Sequence, residues 1–90
     1  MEETYDLFDK VLGIIRKHTH NGECDLKITF TPDNVAVGDD FLIFSACKEI
    51  TCTFTRTGSG IILVWFDRDE PMLLENCPNS FFRSIIKNAK

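Results

Sequence analysis

The spacing of apolar residues changes twice along this chain, helical at both ends and alternating in between, and that change limits the folds open to it more than any other feature. Between residues 4 and 19, Tyr5, Phe8, Val11, Leu12 and Ile15 recur at helical intervals, while Asp6, Asp9, Lys10, Gly13, Arg16 and Lys17 fall on the opposite side. An amphipathic helix of this kind needs a surface on which to bury its stripe. Thr4 can accept from the first-turn amides as N-cap, Asp6 complements the positive end of the helix, and Arg16 with Lys17 complements the negative end. Asn21-Gly22, both tolerant of a left-handed backbone, is expected to stop it.

From Cys24 the period falls to two. Cys24, Leu26, Ile28 and Phe30 share one side, and Asp25, Lys27, Thr29 and Thr31 the other, which predicts a half-buried strand. Pro32-Asp33-Asn34 makes a turn, and a reversal at Gly38-Asp39-Asp40 into residues 41 to 45 predicts a hairpin. A second alternation sets Ile50, Cys52 and Phe54 against Thr51, Thr53 and Thr55. Thr57-Gly58-Ser59-Gly60 turns it into Ile61 to Phe66, the strongest strand signal in the chain. Asp67 to Pro71 breaks the sheet, and Met72-Leu73-Leu74 fits either a short edge strand or a packed loop. After Pro78, Asn79 or Ser80 is placed to cap a final helix with Phe81, Phe82, Ile85, Ile86 and Ala89 along one stripe.

The expected fold is therefore α+β, a two-layer sandwich in the order α-β-β-β-β-α. N- and C-terminal helices pack on an antiparallel sheet of four strands, or five if residues 72 to 74 join it. No linker, repeat or low-complexity run divides the chain, so residues 1–90 read as a single domain. A chain of this length buries roughly 60 to 65% of its unfolded surface. Eight Phe among 43% apolar residues supply that core without disulfides or metal. The periodicities select Phe8, Leu12, Ile15, Leu26, Ile28, Phe30, Ile50, Phe54, Val64, Phe82 and Ile85 as its members.

A net charge of -4 with dispersed Lys and Arg argues against direct nucleic-acid binding, whose affinity comes largely from phosphate neutralisation. The first residues lack the basic and apolar regions of a secretory signal, and no apolar run is long enough to span a membrane. Cysteines at 24, 47, 52 and 77 match no zinc-ribbon or C-x-x-C spacing, so they read as reduced thiols of a cytoplasmic protein. Cys24 and Cys52 alternate with core positions, and Cys47 beside Lys48 is the candidate for exposure.

Chemistry-bearing residues are sparse. His18, His20 and Cys24 converge around the first helix end and could serve as three zinc ligands, with Glu23 or Cys77 as a fourth. Dipole-favoured histidines and an inward Cys24 explain them without metal. A Cys/His nucleophile pair is a second alternative, but it requires an electropositive, partly exposed thiol. The acids of Asp39-Asp40 and of Asp67, Asp69 and Glu70 lack the spacing of a calcium loop and suit turns. Gly58-Ser59-Gly60 joins two strands and has no following Lys, so it is a hairpin turn and not a phosphate loop.

Two segments are apolar on both sides, residues 41 to 44 and 61 to 66, and turn chemistry and solubility do not account for them. Two helices ~10 Å apart cover one face of a four-stranded sheet whose strands lie ~4.8 Å apart. Either a helix covers each face, or Leu42, Phe44 and Trp65, with the acidic turn of Asp67, Asp69 and Glu70, form an interface for a second copy or another protein, one with a basic surface. The functional expectation is a non-enzymatic binding module needing no cofactor, a small acidic inhibitor or adaptor of the kind that phages and other mobile genetic elements encode.

Overall fold

The computed structural model describes residues 4–20, 23–24, 26–44, 48–66 and 70–89, with side chains for all of these except Thr4, Tyr5, His20, Glu23 and Cys24. Helix α1 (Thr4–Lys17) is closed by two bonds to the Ile15 carbonyl, from the His18 amide at 3.0 Å and the Thr19 hydroxyl at 2.9 Å. It ends directly in a small antiparallel pair, β1 (Thr19–His20) and β2 (Glu23–Cys24), with Thr19 opposite Cys24. The strand expected from Cys24 to Phe30 is thus two pieces. Only β3 (Lys27–Phe30) enters the main sheet, and the side chain of Cys24 lies outside the described residues.

The main sheet is an antiparallel meander, β3-β4-β5-β6, built from β3, β4 (Ile50–Arg56), β5 (Ile62–Phe66) and β6 (Met72–Leu73). With α2 (Asn79–Asn88) the chain runs α-β-β-β-β-α, as its periodicity predicts. The membership differs in one strand. Met72–Leu73 pairs with Val64 and Leu63 as the edge, whereas residues 41–44 form no strand and the predicted hairpin is absent. Asn34 helps explain this, because its carboxamide takes the place of a neighbouring strand at Thr29 and Thr31. Its Nδ2 donates to the Thr29 carbonyl at 3.0 Å while its Oδ1 accepts the Thr31 amide at 2.8 Å. Edge groups satisfied in this way do not template another strand.

The segment between β3 and β4 instead folds onto α2. The turn at Pro32-Asp33 closes from the Asn34 amide to the Thr31 carbonyl, and a second turn, with Gly38 at φ 86, closes from the Asp39 amide to the Ala36 carbonyl. Both ends of the second turn are fastened to fully buried Ser84, whose hydroxyl accepts the Ala36 amide at 2.9 Å and donates to the Asp39 carboxylate. Asn88 Nδ2 and Lys87 Nζ add bonds to the carbonyls of Asn34 and Val35. Leu42 is thereby tucked into the core, at 7% exposure, and Phe44 is half-buried against it. Between β4 and β5 the Thr57–Ile61 connection closes from the Gly60 amide to the Thr57 carbonyl at 2.9 Å, with Gly60 at φ 90, the left-handed conformation that a three-residue hairpin loop favours at this position.

Helix α2 begins at Asn79, with Pro78 in the capping position and no side-chain cap bond, so neither Asn79 nor Ser80 serves as the expected cap. Its stripe is continuous. Phe81 stacks at 5.7 Å on Phe30 of β3, 5.7 Å on Phe66 of β5 and 5.1 Å on Phe41, and Phe82 meets Phe8 of α1 at 5.7 Å. Leu7, Val11 and Ile15 of α1 join the same cluster as Ile28, Cys52, Phe54, Ile62, Val64 and Ile85. Every residue expected in the core is there, fully or partly buried, and Leu7 belongs to it as well. Both helices accordingly lie on one face of the sheet.

Because Phe81 touches two strands and the β3–β4 segment at once, Phe81→Ala is expected to cost ~3 to 5 kcal/mol, a large share of the ~5 to 15 kcal/mol typical of a domain. Urea denaturation followed by circular dichroism measures it. A loss below ~1 kcal/mol would show that the ring cluster does not hold the layers together.

Candidate functional site

With both helices on one side, the other face of the sheet has no covering element among the described residues. The alternation of each strand decides what it shows. Lys27 and Thr29 of β3, Thr51, Thr53 and Thr55 of β4, and Leu63 and Trp65 of β5 point away from the core. The register sets them in rows: Lys27, Thr53 and Trp65 in one, Thr29 and Thr51 in the next, and Thr55, Leu63 and Leu73 in a third. β-Branched threonines favour the extended backbone and offer hydroxyls to water or to a ligand, which suits a face left in solvent.

Trp65 gives this face its specific shape. It stands opposite Thr53 but reaches diagonally along β4, where its indole Nε1 donates to the Thr55 hydroxyl at 2.9 Å. At 37% exposure the ring remains available while its single donor is already satisfied. Thr29 and Thr51 share a hydroxyl contact at 3.2 Å in the row on the other side of Thr53 from Thr55. The result is a mixed surface with an aromatic plane, the cation of Lys27 and a rank of hydroxyls.

The other residues expected at an interface are placed differently. Leu42 lies in the core and Phe44 is half-buried with it, so neither shares the outer face with Trp65. The inference that both apolar segments line that face holds only for the second, because residues 41–44 lie outside the sheet. Glu70 is exposed, whereas Asp67 and Asp69 fall outside the described residues.

The zinc alternative rests mostly beyond what the structure describes, since the side chains of His20, Glu23 and Cys24 are not among the described ones. No group of three His, Cys, Asp or Glu occurs among those that are. His18 is half-buried in a shallow groove of about 300 Å³ between β3 and the end of α2, lined also by Leu26, Ile28, Asn88 and Ala89. Of the acidic turn at Asp39-Asp40, Asp39 is committed to the backbone: one carboxylate oxygen accepts the Phe41 amide at 2.9 Å and the other takes the Ser84 hydroxyl. Sequence periodicity passed over Ser84; a serine inside the Phe81–Ile85 stripe, facing the core, was the available signal.

For the cysteine-nucleophile alternative, Cys47 is outside the described residues, and Cys52 is fully buried. Cys77 is also buried, with its Sγ 3.7 Å from both Met72 Sδ and the Leu73 carbonyl. Burial pushes its thiol from 9.0 up to about 11, the direction opposite to activation. No helix of the described residues is long and apolar enough to cross a membrane. No protein-family model, curated protein or solved structure matches the chain. The functional reading therefore rests on the geometry of the chain itself.

The Cys77 shift has a stability consequence. Below pH 9.0 the thiol is protonated in both states, but between 9.0 and about 11 the unfolded chain releases its proton while the folded one keeps it. Stability contributed at this site should thus fall as pH rises through that window. Comparing urea unfolding of the parent and Cys77→Ala at intervals from pH 8 to 11 should show their difference shrinking with pH. A constant difference would contradict the burial of the thiol.

Proposed function

We propose that the chain is a non-enzymatic protein-binding domain, a small acidic inhibitor or adaptor acting in the cytosol, which docks a partner protein on its uncovered sheet face and so occludes the partner's surface. One observation carries the reading: the only Trp of the chain sits 37% exposed on that face, at the end of the row Lys27–Thr53–Trp65 and opposite the layer where both helices pack. Trp is among the residues that most often dominate interface energy, through a large apolar surface held in few rotamers. Here the bond to Thr55 fixes the ring before a partner arrives, which lowers the ordering cost of association. The threonine hydroxyls around it supply the polar contacts of such a surface.

Charge favours a basic partner. The chain carries -4, Glu70, four residues after β5 in the sequence, is exposed, and Asp67 and Asp69 lie in the same acidic run. Long-range attraction of this sort governs encounter more than residence. The cysteine spacing, which matches no zinc-ribbon or C-x-x-C pattern, favours a reducing compartment.

The test begins with a partner isolated on the tagged parent and then purified, so that its binding kinetics are measured with each variant. Trp65→Ala should weaken binding by about 2 kcal/mol, or about 30-fold, chiefly through faster dissociation. Charge reversal at Asp67, Asp69 and Glu70 should slow association and flatten its salt dependence. Circular dichroism establishes that each variant is folded. Folded variants that bind the partner as the parent does would overturn the reading.

A further inference from the structure

Strand β3 is an edge of the main sheet, and the ladder decides which of its backbone groups face outward. The Thr57 amide bonds the Ile61 carbonyl at 2.9 Å, so at every second position back along β4, at Thr55 and Thr53, the backbone groups turn toward β5. Cys52 and Ile50 therefore turn theirs toward β3, where they meet Ile28 and Phe30. Lys27 and Thr29 are left presenting their amides and carbonyls to the free edge. The Asn34 carboxamide agrees, since it reaches the Thr29 carbonyl at 3.0 Å and the Thr31 amide at 2.8 Å from that side.

Asn34 makes the two bonds that one residue of a parallel strand would make across Phe30: a donor to the carbonyl before it and an acceptor for the amide after it. The same pair of groups recurs one repeat earlier, on either side of Ile28. These are the Lys27 carbonyl and the Thr29 amide, and neither has a partner among the described residues. The groove of about 300 Å³ lies at this point. Its lining runs through Leu26, Lys27, Ile28 and Thr29 in succession and is completed by His18, just past α1, and by Asn88 and Ala89 at the end of α2. Asn88 is fixed in place, with its Nδ2 donating to the carbonyls of Asn34 at 2.9 Å and Ser84 at 2.8 Å.

We infer that this edge is a docking site for a short, extended, acidic segment of a partner protein, added parallel to β3 with one residue opposite Ile28. That residue donates its amide to the Lys27 carbonyl and accepts the Thr29 amide on its own carbonyl, as in other recognition by strand addition. Paired residues of adjacent strands share a face, so its side chain points with Ile28 toward the helical layer and enters the groove. An apolar side chain suits the Leu26, Ile28 and Ala89 found there. The residue before it projects to the opposite face beside Lys27, which is exposed and makes no ion pair among the described residues. No carboxylate lines the groove, and exposed Lys17 and Lys87, next in sequence to His18 and Asn88, add positive charge on a chain whose net charge is -4. An acid at the position beside Lys27 is the complement. Because Asn34 already fills the next repeat, the pairing stops at Thr29 and the segment stays short. The site uses neither Trp65 nor the threonine rows around it, so it does not rest on the sheet-face reading, and the two can fail independently.

The probe is a phage-displayed library of linear peptides of about seven residues, selected on the immobilised parent. Synthetic copies of the enriched peptides should carry an acid immediately before an apolar residue and bind with a Kd of about 100 µM or tighter. On isotope-labelled protein they should shift the Thr29 amide resonance more than the Trp65 indole. N-methylation of the apolar residue, which removes the donor to the Lys27 carbonyl, should weaken binding at least about 10-fold; N-methylation of the residue after it, whose N–H points away from β3, should change it less than about threefold. Lys27→Glu and Ala89→Trp, each checked for folding by circular dichroism, should each weaken binding about 10-fold, the first through charge and the second by filling the groove. A library yielding no peptide that binds tighter than about 1 mM would overturn the proposal. So would enriched peptides that shift the Trp65 indole and leave Thr29 unmoved, a basic consensus, or binding indifferent to N-methylation at the apolar residue. A Thr29 shift produced by concentrating the protein alone would also overturn it, by assigning the edge to a second copy of the chain.

Discussion

The seating of Phe81 across the sheet is the interaction on which the rest of this structure depends. A single ring meets Phe30 on one side of β4 and Phe66 on the other, and Phe41 closes over it from the β3–β4 segment. Once α2 is held there, Phe82 faces Phe8 and the two helices share one layer. Ser84, one turn further along the same helix, reaches the turn at Ala36–Asp39. Buried hydroxyls are costly unless bonded, and this one is fully bonded, so it fixes where the segment lies and does not merely fill space. Helix, aromatic cluster and covering segment are thus one cooperative assembly.

That assembly leaves the opposite face of the sheet without a cover. The helices and the 31–44 segment are all consumed on the inner side, so the outward residues of β3, β4 and β5 meet no further element among the described residues. Most of that face is threonine, which tolerates solvent, and an isolated Trp there needs no special explanation as exposure alone. Its significance lies in context. The indole is oriented by Thr55, sits beside Leu63 on the same strand, and occupies a flat surface with no covering layer.

Most of this fold was legible because amphipathic periods record which side of each element is buried. Ile28 and Phe30, Cys52 and Phe54, and Phe81, Phe82 and Ile85 all lie where their spacing puts them. The turn at Pro32 and the hairpin at Gly60 were likewise written in local backbone chemistry. Residues 41 to 44 were not, because a short apolar run reads alike as strand or as packed coil. The choice was made by Asn34 at the edge of β3 and by Ser84 fifty positions from Asn34. Leu7 escaped for a related reason: it borders the α1 stripe, and only the position of α2 widens that stripe to include it. For the candidate site, the sequence left open whether Trp65 lies on the second sheet face or in the core and grouped it with Leu42; Trp65 is 37% exposed, whereas the packing of the long segment draws Leu42 inward.

The central structural claim is that both helices occupy one face and leave the Trp65 face bare. Since Trp65 is the sole Trp, acrylamide quenching of the dilute, folded protein reports on that face alone. Quenching should be efficient before unfolding, with an emission maximum to the red of a buried indole, and should rise only modestly when urea unfolds the chain. An indole that emits in the blue and resists acrylamide until the protein unfolds would contradict the claim, because some part of the chain would then have to cover the face.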